Sequence, residues 1–215
     1  MAISFPRAIP DALLVTGLTF LPDPVIEITP TKGGGAVSVD LGPTLWRGKW
    51  DSDTLDEARF GEVRAWYDTL LNEREFYGYD KLREYPLNYT GGFTGLLVGT
   101  VPFDGTCTLA GVPTGSVSVE LEDLPAGFIL APGDYLHFDY GTSRALHRVS
   151  AQEVADTNGQ MEVEVRPYVR LGWEADTVVT LYRAAARMVI LPGSYSERIV
   201  PGTFGQASFE ARQVL

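Results

Sequence analysis

Only one stretch of this chain has the periodicity of a long helix, and this imbalance constrains the fold more than any other feature. In residues 53–72 the apolar side chains from Leu55 onward recur at spacings of three, four and seven. That spacing predicts an amphipathic helix with one buried stripe, and Asp53 stands where an N-cap belongs. The rest of the sequence is made of short alternating runs separated by glycine and proline, which predicts strands and turns.

Strand patterns lie on both sides of the predicted helix. Residues 37–50 are expected to form a hairpin with its bend at Gly42-Pro43, so that Trp46 and Trp50 share one face. An aromatic strand is expected at residues 75–79. Earlier runs carry prolines at their margins, which suits the edge of a sheet. A helix lying on such a sheet predicts a mainly β protein of the α+β class.

The pattern changes near residue 104, where short strand-like runs begin to recur at intervals of about ten residues, typical of an all-β domain. Asn158-Gly159 between two alternating runs is the strongest hairpin signal in the chain. We therefore expect a small antiparallel β-barrel or sandwich inserted at residues 104–186. Residues 1–103 together with 187–215 are expected to form the other domain, a β-sandwich or split barrel with the packed helix.

Composition excludes several classes of function. The 215 residues carry a formal net charge of −11, which argues against a nucleic-acid binder because such a protein needs a basic face. The same charge argues against docking on anionic membranes. No apolar run approaches the roughly 18 residues of a membrane span, and the first residues lack the core of a signal peptide. The single cysteine, Cys107, allows no internal disulfide.

The sequence contains little that resembles catalytic machinery. His137 and His147 fall in neighbouring predicted strands without the spacing of a metal site, so we expect them at the surface or rim of those strands. Glu162 and Glu164 alternate with valines, which indicates the solvated face of a strand rather than a carboxylate pair for glycoside hydrolysis. We expect no catalytic residue, no bound metal and no cofactor. A cell-wall glycan hydrolase is the least favoured of the functions considered.

Aromatic residues give the strongest indication of function. A first group is predicted to lie in the core or at a contact between neighbouring copies: Trp46, Trp50, Trp66, Phe76 and Tyr79. Proline-edged strands, an extended N-terminal arm and a late return strand are typical of a subunit that joins neighbours. A second group suggests an alternative, a carbohydrate-binding module that adsorbs to a host surface by stacking on sugar: Tyr135, Tyr140, Tyr168 and Trp173.

The order of these segments resembles the distal tail proteins of long-tailed, siphovirus-like bacteriophages. The resemblance rests on four consecutive features: the segment Ile3-Ser-Phe-Pro-Arg, the strand Leu45-Trp46-Arg47-Gly48-Lys49-Trp50, the helix with Leu55, Trp66 and Leu70-Leu71, and the aromatic strand 75–79. It covers residues 1 to about 90 and resumes at about residue 187. Residues 104–186 resemble the small β domain that these proteins carry outside their ring domain.

This resemblance implies a structural virion protein rather than an enzyme. The chain would form a homo-hexameric ring at the phage tail tip, joining the tail tube protein to the hub protein or baseplate, after assembly in the host cytoplasm. Double-stranded DNA would pass transiently through the channel without sequence-specific binding. Because duplex DNA carries one negative charge per roughly 1.7 Å of axis, an acidic channel wall would let it slide. Closure into a ring would also cover open strand edges, and no membrane anchoring is implied.

Overall fold

The computed structural model describes residues 3–72, 74–200 and 204–215. In its first half the elements are β1 (Arg7–Ala8), β2 (Val15–Pro30), β3 (Ala36–Ser52), α1 (Glu57–Thr69), β4 (Phe76–Tyr79), a 3-10 turn (Leu87–Tyr89), β5 (Leu97–Val98) and β6 (Val101–Pro102). The barrel region then contains β7 (Thr106–Gly111), β8 (Ser118–Glu122), β9 (Ile129–Leu130), β10 (Tyr135–Tyr140), β11 (Ser143–Val149), β12 (Glu153–Val154), β13 (Met161–Arg166) and β14 (Thr177–Thr180). The last elements are β15 (Ala185–Ile190), β16 (Ser196–Val200) and β17 (Phe204–Gln213).

The described chain is mainly β, with one α-helix and a closed six-stranded barrel, as the sequence predicts at this coarse level. A seven-stranded sheet has the order β1-β4-β15-β17-β3-β2, with β16 paired to β17. The pair of β1 and β4 is parallel and the other pairs in this sheet are antiparallel. The proline-containing strand β2 lies at the edge, as expected, and the C-terminal strand β17 lies between β15 and β3.

The barrel follows the order β10-β11-β13-β8-β7-β14 and closes on itself. Its strands therefore expose no unpaired edge. They all lie between β4 and β15 in the chain, so the polypeptide leaves the sheet, builds the barrel and returns. Strand β13 alternates buried and exposed residues, with Val163 and Val165 inside and Glu162 and Glu164 outside.

The predicted helix is shorter than the periodic stretch that signals it. α1 spans Glu57–Thr69, and its N-cap is Asp56, whose carboxylate accepts a hydrogen bond at 2.9 Å from the backbone N–H three residues further on. The N-cap predicted at Asp53 is wrong. Leu55 forms an isolated β-bridge with Gly205, which keeps the backbone extended just before the helix. Leu55 is buried as predicted, but it lies outside the helix.

The predicted hairpin within residues 37–50 is also wrong. β3 continues without a bend through Gly42-Pro43, and it pairs along its length with β2. The turn of this long hairpin is the glycine-rich segment 31–35, where the backbone N–H of Thr31 donates to the Gly35 carbonyl at 2.8 Å. At Gly42-Pro43, where the sequence suggests a turn, the two strands stay paired and only their register shifts, near Val25.

The first aromatic group belongs entirely to the protomer's own core. Each member is at most 3% exposed: Trp46, Trp50, Trp66, Phe76 and Tyr79. Of the two places predicted for these residues, the structure supports the core and contradicts a contact between copies, because no part of these rings is left for a neighbour. A second core fills the barrel and is centred on side chains such as Phe128 and Phe138.

Candidate assembly surface

The most unusual surface of the protein is the outer half of the β2–β3 hairpin, residues 26–41, which we call the distal ribbon. All sixteen of these consecutive residues are exposed, so none of them is buried by the rest of the described protomer. Large aliphatic side chains lie among them, with exposed fractions of 49–65%: Ile26, Ile28, Val37, Val39 and Leu41. Isolated exposed aliphatic residues are ordinary on protein surfaces, whereas a contiguous set marks an interaction site.

Both faces of the distal ribbon are apolar. The register places Ile28 opposite Ser38 and Thr29 opposite Val37. Residues directly opposite in an antiparallel pair share a face, and alternate residues of a strand point to opposite faces. One face therefore carries Ile28 with its neighbour Ile26 from β2, and the other carries valines from β3. A ribbon with two apolar faces cannot bury both against its own sheet.

The backbone edges of the distal ribbon are open as well. Strand β17 pairs with β3 only between Arg47 and Asp51, below the ribbon. Within the described residues, neither strand of the ribbon has a second pairing partner beyond that point. Unpaired N–H and C=O groups along a strand form a template for another strand, and an isolated two-stranded hairpin is marginally stable in water. The distal ribbon is thus apolar on both faces and open along its backbone edges.

A sequence signal for this ribbon was present but was divided incorrectly. Residues 25–28 and 37–41 are short apolar runs placed on either side of the Lys32-Gly33-Gly34-Gly35 turn. The two runs pair as one hairpin in the structure, whereas the sequence pattern favours pairing the second run with residues 45–50. The exposure of the ribbon could not be read from the pattern, because alternation does not reveal whether anything covers either face.

The second aromatic group is divided by the structure. Tyr135 is only 8% exposed and packs against Phe20 and Trp46, so its proposed stacking on sugar is wrong. Tyr168 is 61% exposed, with the Arg166 guanidinium 5.2 Å from its ring centre. Tyr140 and Tyr168 line the same shallow pocket, whereas Trp173 is half-buried against the barrel core.

The barrel joins the sheet through a small set of polar contacts around strand β11. The Trp46 indole N–H donates to the Leu146 carbonyl at 2.7 Å, and the Gln213 amide donates to the Arg144 carbonyl at 3.0 Å. From the barrel side, the Arg170 guanidinium donates to the Thr44 carbonyl at 3.0 Å, just below the distal ribbon. We call this set the junction.

Both histidines lie at the junction, so their predicted position at a strand surface or rim is wrong. They are buried, with 8% exposure for His137 and 3% for His147. Burial disfavours the charged imidazolium and lowers the pKa of His137 to about 3 and the pKa of His147 to about 4. The backbone N–H of Ala185 donates to His137 Nδ1 at 3.3 Å. Sequence periodicity missed this burial because it reports one strand face and not what packs on it.

The described residues contain no group of three or more His, Cys, Asp or Glu side chains arranged to hold a metal ion. Cys107 is buried, and burial raises the pKa of its thiol. Among the described residues, no helix is both long enough and apolar enough to cross a bilayer.

Charge is distributed very unevenly between the two parts of the chain. Residues 104–182 contain 12 acidic and 4 basic side chains, whereas the other residues contain 16 acidic and 13 basic ones. The barrel region therefore carries most of the net charge of −11. On the barrel wall, Glu120 and Glu162 lie directly opposite each other on β8 and β13. Like charges directly opposite each other on paired strands are destabilising.

Comparison of the chain with known protein families and with curated protein sequences finds no match.

Proposed function

We propose that this protein is a structural subunit whose copies join through the distal ribbon into a closed ring. The observation that carries the proposal is the run of sixteen exposed residues, 26–41, with aliphatic side chains on both faces and open backbone edges. In its specific form, and by the resemblance described above, the ring is a hexamer in the virion. It lies at a phage tail tip between the tail tube and the hub, and duplex DNA passes through it.

Energetics favour closure over a simple pair. Completing the burial of the five large aliphatic side chains of the ribbon supplies on the order of 5 kcal/mol, and strand pairing along its edges adds hydrogen bonds. Association costs roughly 4–15 kcal/mol in lost translational and rotational freedom. For a single contact between two copies, the free energy gained by burial is therefore close to the free energy lost on association. In a ring the final contact forms between copies that are already held together, so it adds stabilisation without that cost.

The two borders of the sheet also support a ring. One border is formed by the sixteen-residue strand β2 and continues into the ribbon, and the other is formed by the two-residue strand β1. Borders this different favour a heterologous contact, in which unlike surfaces meet. Heterologous contacts generate closed rings when a whole number of rotations from one copy to the next completes a full turn.

The charge distribution modifies one expectation for the channel. In the proposed ring the sheet domain lines the channel and the barrel lies outside. Most of the acidic excess belongs to the barrel region, residues 104–182, so the outer wall is strongly acidic and the lumen only mildly so. Like charges on neighbouring barrels then hold them apart, and DNA meets a wall that is weakly repulsive.

The mass of the assembly in solution tests the proposal. We expect light scattering after size-exclusion chromatography to give a multiple of the 23.5 kDa protomer, with six copies as the specific expectation. Negative-stain micrographs should show annular particles with a central channel. A protein that stays monomeric across the accessible concentration range, with the distal ribbon intact, would contradict the proposal.

Carbohydrate binding by the barrel is a second candidate, supported by the exposed ring of Tyr168. Tyr168 is 61% exposed and has the Arg166 guanidinium 5.2 Å from its ring centre, and an exposed aromatic ring beside a guanidinium suits a sugar that both stacks and accepts hydrogen bonds. A glycan array tests this candidate. Binding should be lost in Tyr168→Ala and kept in Tyr195→Phe, a change on the sheet side of the molecule.

A further inference from the structure

We propose that the junction between barrel and sheet is a pH-sensitive hinge, opened when His137 and His147 take up protons below neutral pH. The proposal is independent of ring formation, because every contact that it uses lies within one protomer. It follows from what each imidazole nitrogen faces.

His137 acts as a hydrogen-bond acceptor towards the sheet. Its Nδ1 lies 3.3 Å from the backbone nitrogen of Ala185, the first residue of β15. A backbone N–H can only donate, so His137 Nδ1 must be unprotonated in the native state. Protonation would place two N–H groups against each other at the point where the chain passes from the barrel to the sheet. The contact is then lost and the Ala185 N–H is left buried without a partner.

His147 is held in the opposite tautomer. Its Nδ1 lies 2.8 Å from the Pro167 carbonyl oxygen, and since a carbonyl can only accept, Nδ1 carries the proton. Its Nε2 is buried and has no hydrogen-bond partner among the described residues. A second proton would create a buried cationic N–H without an acceptor, which is costly in a low-dielectric site. The native junction can therefore hold His147 only in its neutral form.

The charged groups around the two rings do not relieve this cost. Asp139 and Arg144 act on His137, and Arg170 acts on His147. Asp139 already accepts two hydrogen bonds from Arg144, at 2.6 and 2.9 Å, so its charge is largely compensated. Both guanidinium groups repel an imidazolium.

Because both histidines lie at the junction, the junction is the part of the protein that responds to their protonation. On the paired strands β10 and β11, His137 lies opposite Leu146 and His147 lies opposite Leu136. The Leu146 carbonyl accepts the Trp46 indole hydrogen bond that ties the sheet to the barrel. The barrel has its own cluster of buried side chains, whereas the cluster of the sheet includes Tyr135 and Leu146 from barrel strands β10 and β11. Opening at the junction therefore separates these two side chains from the sheet, while the remaining side chains of each cluster stay packed.

Nuclear magnetic resonance on the full chain tests the hinge. The Trp46 indole N–H should be protected and distinctly shifted at pH 7.5. We expect its resonance to be lost as the pH falls from about 6.5 to about 4, the interval between the free histidine pKa and the higher of the two depressed native values. Core amides of Val163 in the barrel and Phe209 in the sheet should keep their shifts through that interval.

Matched variants identify the source of the effect. In His137→Asn and His147→Asn an amide atom replaces Nδ1 with the same accepting or donating role but does not titrate. The double variant should keep the Trp46 resonance across the interval. If the double variant does not fold, the imidazole carbon shifts of the wild-type histidines decide the question: their protonation should coincide with loss of the Trp46 signal.

Three results would overturn the proposal. The first is protonation of both histidines with the Trp46 resonance unchanged. The second is loss of that resonance at the same pH in a folded double variant and in the wild type. The third is simultaneous loss of the Trp46, Val163 and Phe209 signals, which would mean acid unfolding of the whole chain rather than movement at a hinge.

Discussion

Trp46 and Leu146 lie 100 positions apart in the chain, and the indole N–H of the first donates a 2.7 Å hydrogen bond to the carbonyl of the second. The bond is buried and links strand β3 of the sheet to strand β11 of the barrel. Around it, Trp46 stacks on Phe20 with ring centres 5.0 Å apart and meets Tyr135 edge-on at 5.7 Å. One side chain therefore takes part in both the packing and the polar contacts of the junction.

Replacing Trp46 by phenylalanine should destabilise the protein by about 1–3 kcal/mol through the orphaned Leu146 carbonyl alone, with a further cost for the lost ring volume. The free energy of unfolding in urea measures the effect. Trp173→Phe is the matched control, because that indole is only half-buried and its loss should cost less. Equal destabilisation by the two changes would show that the Leu146 bond contributes nothing.

Gly61→Ala should stabilise the protein by about 1 kcal/mol, since glycine in a helix interior costs that much relative to alanine. An added Cβ at Gly61 meets nothing within 4 Å. Gly48→Ala should do the reverse, because a Cβ there would clash with the Trp50 ring. Urea midpoints of the two variants should move in opposite directions from the wild type, and a destabilised Gly61→Ala protein would mean that the exposed face of α1 is not free.

Charge placed on the distal ribbon should abolish assembly without unfolding the protomer. Ile28→Asp and Val39→Asp put a carboxylate on each of the two apolar faces, where burial in a neighbour would cost several kcal/mol. We expect a mass of one protomer by light scattering and an unchanged circular dichroism spectrum. Val178→Asp, at an equally exposed barrel position, is the control and should assemble normally. Normal assembly of both ribbon variants would exclude the ribbon as the contact.

Stability should fall as the pH drops from 7 to 5. The native pKa values of His137 and His147, about 3 and about 4, lie below the ordinary value of 6.5. Between those limits the unfolded chain binds protons that the native state does not, so protons favour unfolding. At 1.36 kcal/mol per pKa unit, the two groups together would remove about 4 kcal/mol over this range if the junction stayed closed. Opening at the junction lets the folded chain bind the same protons, so the measured loss should be smaller. Urea denaturation at several pH values measures the slope, which should largely disappear in the double asparagine variant.

Cys107 should resist alkylation in the folded protein. Its side chain is buried in strand β7 and burial raises the pKa of the thiol, so the reactive thiolate is rare and inaccessible. Mass spectrometry after treatment with iodoacetamide should show no adduct under native conditions and complete labelling in urea. Rapid labelling of the native protein would indicate that the barrel opens frequently at β7.

Local pattern predicted the elements that depend on neighbours in sequence. The helix periodicity, the strand-like run of β13 and the proline-edged character of β2 all hold in the structure. The boundaries of α1 did not follow the pattern, because Leu55 is drawn into a bridge with Gly205, which lies far along the chain. Asp53 therefore does not cap the helix, because the bridge holds the backbone extended at Leu55, and Asp56 becomes the N-cap instead.

The sequence by itself determined a mainly β chain with one helix and an acidic excess in residues 104–182, since propensity and charge are local properties. Only the tertiary structure decided that β3 pairs with β2 and β17, that both histidines are buried and that the distal ribbon is bare. Those outcomes depend on which remote surfaces meet, as Trp46 and Gln213 do across 167 positions. Alternation along a strand gives each side chain a face, and the packing of the whole chain determines whether that face meets protein or water.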